Sequence, residues 1–416
     1  MSLSSEDCSL KYLDFVDLAY KPKETDLVCT FYVEPEGISL KEAAGGVAAE
    51  SSVGTWTELT TEQPYVKGLA AHVYSIEGSV IKIAYPIELF EPTNMPNILS
   101  SVAGNVFGLK TLKNLRLLDI KFPKQLLNSF KGPAFGIVGI RKLLQISKRP
   151  LVGTIVKPKL GLETKDHAKV AYEAWYGGCD IVKDDENLSS QNFNPFEERL
   201  TATLERRDKA QEETSERKVY MINITAETQT MLKRAQTVVD QGGEYVMVDI
   251  LTCGWSALQT LRDQNLKVVI HAHRAGHAAF TKNQLHGIAM KPIATVARVI
   301  GVDQLHVGTV VGKMSETKAE VIENIAACKE ELGWSKPVLP VASGGLHPRL
   351  VPALMETFGN DFVIQAGGGI HGHPEGTVAG ARAMRQAVDA TLYGKTLQEY
   401  AKTHKELSEA LDKWKT

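Results

Sequence analysis

The sequence predicts an α/β protein with a C-terminal TIM (β/α)₈ barrel and a smaller α+β domain before it. After residue 150, short apolar runs alternate with helix-patterned segments eight times, and polar side chains collect at the C-terminal ends of many of these runs. The Gly/Pro break after Lys131 places the boundary between an N-terminal domain of residues 1–131 and a barrel domain, with C-terminal helices, of residues 132–416. A doubly wound sheet is the alternative, although no GxGxxG motif follows the first run.

The composition limits the class of protein and its partners. A chain of 416 residues is too long for one ordinary core, which agrees with two domains. The net charge of -2 predicts neither nucleic acid nor an anionic membrane as a partner. The N-terminus MSLSSEDCSLKYLDF lacks the features of a signal peptide and no apolar run is long enough to span a membrane, so we expect a soluble, cytoplasmic protein. The five scattered cysteines predict reduced thiols rather than disulfides or a zinc site.

The N-terminal domain has a mixed pattern of elements. Ser39 and Glu42 form a capping box that opens an alanine-rich helix through Glu50. The other predicted elements are strands at residues 27–33, 80–83 and 115–120 and a helix at residues 97–102. The polar stretches ESSVGTWT and GNVFG are unusual for scaffold, although a capped loop and a turn would also explain them.

The barrel strands are predicted from apolar, β-branched runs bounded by glycine or polar residues. In chain order they are residues 151–159, 179–186, 219–225, 245–250, 267–273, 304–309, 338–345 and 362–369. Helical periodicity between them is clearest at residues 165–175, 230–241, 291–300, 318–332 and 377–392.

Six of these strands end in polar or glycine residues. The ends are Lys157 and Lys159, residues 183–186, the group His271, His273 and Arg274, the single residue His306, residues 343–345 and residues 367–369. In a barrel these ends meet at one mouth, where barrel enzymes hold their active sites.

The stretch GCDIVKDDEN is the centre of the candidate site. It predicts a buried strand that ends in Lys183 and three carboxylates. Alternation of side chains places Lys183 and Asp185 on one face and Asp184 on the other, with Glu186 where the strand can turn. Two carboxylates beside a lysine indicate a Mg²⁺ site, because this cation prefers oxygen ligands. A salt-bridged strand end is the alternative.

Two further features indicate phosphate binding and a lid. The glycine-rich ends of the seventh and eighth strands suit phosphate, since bare backbone N–H groups can approach an anion. Arg274 and His306 could serve a second phosphate, and two phosphate sites around a metal imply the bisphosphate of a small sugar. In the loop after the sixth strand, Lys313 follows Gly312, which can act as a hinge, as in a lid. An ordinary solvated lysine is the alternative.

The motifs together resemble the large subunit of ribulose-1,5-bisphosphate carboxylase/oxygenase (RuBisCO). They are GTIVKPKLGL, GGCDIVKDDEN, HAHRAGHAAF, HVGTVVGKM, PVASGGLHP and IQAGGGIHGHP, with ESSVGTWT and GNVFG upstream. The resemblance extends from about Phe31 to the C-terminal helices. Within the family, AAGGVAAESSVGTWT and SGGLHPRLVPAL are most similar to form III, the archaeal type that works without small subunits.

The resemblance implies a role for each matching residue. Lys183 would be carbamylated by an activator CO₂ and bind Mg²⁺ with Asp185 and Glu186, and the carbamate would serve as base. Lys157, with Lys159 beside it, would transfer a proton at the substrate C2 carbon. His273 would lie close to the C3 oxygen, and Lys313 would close over the site and stabilise the new carboxylate.

The resemblance also implies the phosphate sites and the assembly. One phosphate would be held by Arg274, His306 and Ser343. The other would be held by Gly345, Gly367, Gly368, Thr55 and Trp56. Glu50, Thr55, Trp56 and Asn105 would enter the site from a second subunit. A homodimer would then be the minimum active unit, with higher assemblies of dimers possible and no small subunit.

The implied reaction is the addition of CO₂, or of O₂ in a side reaction, to the enediolate of ribulose 1,5-bisphosphate at Mg²⁺, which yields two 3-phosphoglycerate. The alternative is a RuBisCO-like enolase or isomerase that acts on a phosphorylated sugar or diketone; the presence of Lys313, Glu50 and Asn105 argues against it. A non-catalytic phosphosugar-binding protein would not need a lysine beside metal-binding carboxylates. The chain departs from many members at Ile155, where they have threonine, and in the lid sequence Lys-Met-Ser-Glu.

Overall fold

The computed structural model describes residues 11–57, 59–312 and 316–415. The chain divides into two compact units. The first contains Met1–Phe130 and His277–Val296, and the second contains Lys131–Gly276 and Ala297–Thr416.

The described strands and helices follow in chain order. The strands are β1 (Leu27–Pro35), β2 (His72–Glu77), β3 (Val80–Tyr85), β4 (Leu112–Lys121), β5 (Leu151–Ile155), β6 (Ile181–Lys183), β7 (Val219–Asn223), β8 (Tyr245–Asp249), β9 (Val269–His273), β10 (Gly287–Ile288), β11 (Gln304–His306), β12 (Leu339–Ser343) and β13 (Val363–Gln365). The α-helices are α1 (Leu40–Glu50), α2 (Met95–Val102), α3 (Lys124–Leu127), α4 (Gly136–Leu144), α5 (Thr164–Gly177), α6 (Phe196–Thr214), α7 (Thr228–Asp240), α8 (Ile250–Cys253), α9 (Trp255–Asp263), α10 (Ala278–Thr281), α11 (Met290–Ile300), α12 (Lys318–Lys329), α13 (Val351–Phe358), α14 (Gly368–His371), α15 (Gly376–Leu392), α16 (Leu397–Ala401) and α17 (Lys405–Lys413).

The first unit is built on a five-stranded sheet in the order β10-β4-β1-β3-β2. Strand β1 pairs antiparallel with β3 and β4, and its alternate residues are buried, as expected for a strand with one face on the core. The predicted capping box is confirmed: Glu42 N–H donates to Ser39 Oγ, and Ser39 N–H donates to Glu42 Oε2 at 3.0 Å. The α+β character predicted for this part of the chain is therefore confirmed.

The second unit contains a closed barrel of eight strands in the order β11-β12-β13-β5-β6-β7-β8-β9. All of its pairings are parallel, and β13 pairs with β5 to close the ring. The (β/α)₈ fold predicted from the alternation of strands and helices is confirmed, and the doubly wound alternative is wrong because the sheet has no open edge.

Apolar side chains fill the N-terminal end of the barrel. Seven of the strands contribute their first residue to one buried cluster: Leu151, Ile181, Val219, Tyr245, Val269, Leu339 and Val363. Helix α4 packs Ile140 and Leu144 into the same cluster. Strand β11 differs, because its first residue is Gln304, a buried polar side chain. The apolar plug stabilises one end of the barrel and leaves the C-terminal ends of the strands for polar residues.

Two observations bear on the composition. In the part of the chain that the structure describes, no helix has the length and apolar character needed to cross a membrane. Cys29, Cys179 and Cys328 are buried free thiols, and Cys253 is a partly exposed one, as predicted. The fifth cysteine, Cys8, lies outside the described residues.

Candidate active site

Lys183 lies at the C-terminal end of β6 and is 1% exposed. Its Nζ donates to the backbone oxygen of Asp184 at 2.6 Å and lies 3.8 Å from Glu186 Oε2. Burial lowers the pKa of Lys183, and the neighbouring carboxylates of Glu186 and Asp185 only partly oppose this shift. The amine is therefore easier to deprotonate than that of an exposed lysine.

Asp185 and Glu186 follow the strand and lie beside Lys183. The buried Asp185 accepts a hydrogen bond from Lys157 Nζ at 2.6 Å. Burial raises the pKa of Glu186, but Lys183 and His273 outweigh burial, so this pKa lies below its ordinary value. The lowered pKa favours the anionic form of Glu186, and both carboxyl groups offer oxygen atoms. Within the described ranges, no three His, Cys, Asp or Glu side chains are grouped as a metal site.

Asp184 lies on the other face of the strand, among the helices outside the barrel. Its carboxylate accepts hydrogen bonds from Tyr220 Oη at 2.6 Å, Arg199 Nε at 3.1 Å and Asn223 N at 3.0 Å. Burial alone would raise its pKa, but Arg199 and His167 lower the pKa of Asp184 to about 2. This ionised group anchors the strand end that carries Lys183 and Asp185.

His273, the last residue of β9, is held by Asp249, the last residue of β8. His273 Nδ1 lies 2.6 Å from Asp249 Oδ1, and Nε2 lies 3.7 Å from Glu186 Oε2. An ionised Asp249 can only accept, so Nδ1 carries a hydrogen and Nε2 faces Glu186. This pairing fixes both the tautomer and the ring orientation of His273.

His271 and His306 form a buried pair beside His273. Their Nε2 atoms are 2.9 Å apart, His271 Nδ1 lies 2.9 Å from Gln304 Oε1, and His306 Nδ1 lies 2.8 Å from Ser343 Oγ. Burial lowers the pKa of His271 to about 3 and holds that of His306 well below its ordinary value. Both rings are therefore neutral, and the Ser343 hydroxyl donates a hydrogen bond to His306 Nδ1.

Arg274 follows β9 and is bound by a residue of the loop after β11. Its Nη2 donates to Glu316 Oε1 at 2.5 Å, and both side chains are largely buried. Burial lowers the pKa of Arg274, while Glu316 opposes the shift. Among the described residues, the buried Nη1 has no hydrogen-bond partner.

The glycines after β12 and β13 bring bare backbone to the same mouth. A Cβ on Gly367 would lie 3.0 Å from Lys157 Cε, so the lysine packs directly on this glycine. A Cβ on Gly368 would meet no atom within 4 Å, so its backbone is open to a ligand. Gly345 has φ +74, a conformation that favours glycine.

The remaining candidate residues are exposed, lie outside the described residues or belong to the first unit. Lys159 is exposed, and its Nζ lies 3.4 Å from Asn187 Oδ1. Lys313 lies outside the described residues. Four residues belong to the first unit: Glu50, which accepts from Tyr12 Oη at 2.8 Å, partly buried Thr55, exposed Trp56 and exposed Asn105. Their entry into a site from a second subunit stays a prediction.

The sequence reasoning missed Asp249 and Glu316. Asp249 ends a barrel strand, so the rule that selected Lys183 and His273 would also have selected it. Glu316 had no such signal, because its partner Arg274 is 42 residues away in the chain.

Known proteins resemble this chain over nearly its whole length. The model of the "Ribulose bisphosphate carboxylase large chain, catalytic domain" matches residues 136–414, and that of the N-terminal domain of the same chain matches residues 14–126. A ribulose bisphosphate carboxylase of Methanocaldococcus jannaschii is 50% identical over 97% of this chain and 100% of its own. A ribulose bisphosphate carboxylase of Pyrococcus abyssi is 51% identical over 97% of this chain and 96% of its own.

Two solved archaeal Rubisco structures are also similar to this chain over nearly its whole length. The octameric Rubisco of Pyrococcus horikoshii OT3, in complex with sulfate ion, superposes with a TM-score of 0.94 at 50% identity and covers 97% of each chain. The dimeric archaeal Rubisco of Hyperthermus butylicus superposes with a TM-score of 0.90 at 45% identity and covers 97% of this chain and 99% of its own.

Proposed function

The chain belongs to the ribulose bisphosphate carboxylase large-chain family and is a carboxylase, and we propose how its own residues carry the reaction. The C3 proton of ribulose 1,5-bisphosphate is removed to form an enediolate, and CO₂ then adds to the C2 carbon. Hydrolysis of that product yields two molecules of 3-phosphoglycerate. O₂ competes with CO₂ for the enediolate in a side reaction.

Lys183, Asp185 and Glu186 would hold Mg²⁺, with Lys183 converted to a carbamate by CO₂. Without the metal, the carboxylates are balanced by ammonium groups: Lys157 Nζ lies 2.6 Å from Asp185 and Lys183 Nζ 3.8 Å from Glu186. Carbamylation exchanges a cation for an anion, and a divalent cation restores the balance. The oxygen donors fit the preference of Mg²⁺. When bound, Mg²⁺ would polarise substrate oxygens and stabilise negative charge on them.

Lys157, which contacts Asp185, and His273, which lies near Glu186, would act on the substrate. The Lys157 ammonium, beside Asp185 and packed on Gly367, would deliver a proton at the C2 carbon. Asp249 orients His273 so that Nε2 can accept or return a proton at the C3 oxygen. Lys159, next to the same strand end, would support Lys157, and Lys313 would stabilise the new carboxylate.

The two phosphates of the substrate would occupy two groups of donors. Arg274, His306 and Ser343 would hold one phosphate: Arg274 would supply the positive charge, and the Ser343 hydroxyl would turn its hydrogen from His306 to the anion. Backbone N–H groups at Gly345, Gly367 and Gly368 would hold the other, together with Thr55 and Trp56 of the partner subunit.

We further propose a homodimer as the minimum active unit, completed by Glu50 and Asn105 of the partner subunit. Higher assemblies of dimers are compatible with this unit, and no small subunit is expected. Support comes from the relatives named above, of which one is dimeric and one octameric.

The observation that carries the proposal is the buried Lys183 beside two carboxylates and His273 at the barrel mouth. The test supplies ribulose 1,5-bisphosphate, Mg²⁺ and labelled CO₂ and measures labelled 3-phosphoglycerate. Lys183→Ala should be inactive, while Lys169→Ala, which removes an exposed lysine of α5, should match the unaltered enzyme. Consumption of the bisphosphate without labelled product would indicate an enolase or isomerase instead.

A further inference from the structure

Side-chain hydrogen bonds continue the pairing of β5 with β13 beyond the last paired residues. The strands are in register up to Gln365 opposite Gly153, and Ala366 N donates to Gly153 O at 3.0 Å. Thr154 Oγ1 then donates to Ala366 O at 2.7 Å. This hydroxyl is wholly buried and takes the place of the next backbone hydrogen bond.

His371, the last residue of α14, reaches back to the same strand. Its Nε2 lies 2.9 Å from both Ile155 O and Thr154 Oγ1, and its Nδ1 lies 3.1 Å from Thr377 Oγ1. Burial lowers the pKa of His371 to about 4, so the ring is neutral at neutral pH.

The partners determine the tautomer of His371. A backbone oxygen such as Ile155 O can only accept, and the Thr154 hydroxyl spends its hydrogen on Ala366 O. Nε2 must therefore carry the hydrogen, and Nδ1 accepts from the Thr377 hydroxyl. The result is one directional chain from Thr377 through His371 and Thr154 to Ala366, in which each bond strengthens the next.

Two backbone oxygens that this network of hydrogen bonds holds, those of Ile155 and Ala366, adjoin two parts of the proposed active site. Ile155 lies two residues before Lys157, and Ala366 immediately precedes Gly367. Lys157 packs on Gly367 so closely that an added Cβ would lie 3.0 Å from Lys157 Cε. A shift of either strand end would change the distance between the lysine and the glycine turn.

We propose that Thr154 and His371 are positioning residues that hold Lys157 in register with the phosphate-binding glycines Gly367 and Gly368. The inference rests on the proposed function, since it assigns proton transfer to Lys157 and phosphate binding to the glycines. Neither positioning residue contacts the substrate; each acts through the backbone that carries those groups.

The kinetic test compares Thr154→Val, which keeps the shape and removes the hydroxyl, with Thr154→Ser, which keeps the hydroxyl. Thr154→Val and His371→Leu should each lower kcat on the order of 10- to 100-fold and raise KM for ribulose bisphosphate, because small displacements of reacting groups are costly. Thr154→Ser should recover most of both parameters. The double variant should lose little more kcat than either single variant, since Thr154 and His371 act in one network of hydrogen bonds.

The matched control is His373→Leu. His373 is also buried, but its Nε2 bonds to Glu406 O, away from β5. A variant that merely loses folded protein lowers the apparent kcat and leaves KM unchanged. Unaltered KM in Thr154→Val and His371→Leu, or effects equal to those of His373→Leu, would overturn the proposal.

A second measurement is made on the unaltered protein and does not depend on its catalytic activity. Nitrogen NMR of the full chain labelled at histidine should show His371, identified by its loss in His371→Leu, as a neutral ring with hydrogen on Nε2 at pH 6 to 8. A protonated ring or a hydrogen on Nδ1 would contradict the chain of hydrogen bonds. Because this reading does not depend on turnover, it separates failure of the positioning role from failure of the proposed function, which the labelled-CO₂ assay tests.

Discussion

At the residue scale, neighbouring side chains at and just after the end of β6 have different surroundings because they face opposite ways. Lys183 and Asp185 face the barrel mouth, where Asp185 bonds to Lys157. Asp184 faces the helices and is enclosed by Arg199, Tyr220 and His167. The first two are proposed to supply the chemistry, and the third holds the strand end in place.

We predict that Lys183 is modified by CO₂ before substrate binds. Only a neutral amine can attack CO₂, and burial lowers the pKa of Lys183, so a larger neutral fraction is present than for an exposed lysine. Activation by CO₂ and Mg²⁺ should therefore improve as pH rises from about 7 to about 9. The measurement is the mass of the Lys183 peptide after chemical trapping of the carbamate. An unmodified lysine in fully active enzyme would rule this out.

A second prediction separates Asp184 from Asp185. Asp184→Asn leaves the buried Arg199 without its charge partner and should lower the free energy of unfolding by about 3–5 kcal/mol. Because the folded pKa of Asp184 is depressed to about 2, its stabilisation is present above about pH 4 and is lost as pH falls toward 2. Denaturant unfolding across that range should show this loss in the unaltered protein and not in Asp184→Asn.

The companion variant, Asp185→Asn, should give the opposite result. Asp185 has an ammonium partner at the mouth rather than a buried network, so its loss should affect carboxylation far more than unfolding. Equal losses of activity and stability in the two variants would contradict the division of roles.

At this scale the sequence predicts site residues through one rule, that polar residues at the ends of barrel strands converge. The rule selected Lys157, Lys183 and His273, which the structure brings around Asp185 and Glu186. It could not supply pairs such as Arg274 with Glu316, because such pairs depend on which loops lie side by side.

At the element scale, the observed barrel strands are shorter than the apolar runs that predicted them. The run at residues 179–186 contains the strand Ile181–Lys183, and Asp185 and Glu186 lie beyond the end of the strand, beside Lys183. Alternation cannot locate that point, since the ladder ends where the neighbouring backbone turns away. Helix α6 was not predicted because its many charged residues hide the buried stripe that includes Leu200 and Leu204.

The loop after β11 gives a prediction at this scale. Glu316 occupies Arg274, so we predict that it competes with any phosphate that binds the same guanidinium. Glu316→Gln should strengthen inhibition of carboxylation by inorganic phosphate by about three- to tenfold, as expected for loss of one competing charge. Glu323→Gln, an exposed change on α12, is the matched control. Unchanged or weaker inhibition would show that Glu316 orients Arg274 for phosphate rather than competing with it.

At the scale of the whole molecule, the chain does not divide into two consecutive pieces. His277–Val296 belongs to the first unit, where β10 pairs with β4 and Arg116 donates to Asn283 O at 2.6 Å. A two-residue strand has no periodicity to detect, and its partner lies far away in sequence. Local sequence patterns therefore predicted the barrel and the α+β domain, but not that His277–Val296 belongs to the first unit.

The last prediction concerns the assembly. If Glu50 and Lys313 serve one site from two subunits, Glu50→Gln and Lys313→Ala should each be inactive alone. In a mixed dimer both defects fall on one site and the other site is intact. Purified mixed dimers should then have about half of the activity of the unaltered enzyme, because one of their two sites works. The measurement is carboxylation by mixed dimers purified through two different tags. Inactive mixed dimers would place Glu50 and Lys313 in the site of a single subunit, and the proposed homodimeric active unit would have to be abandoned.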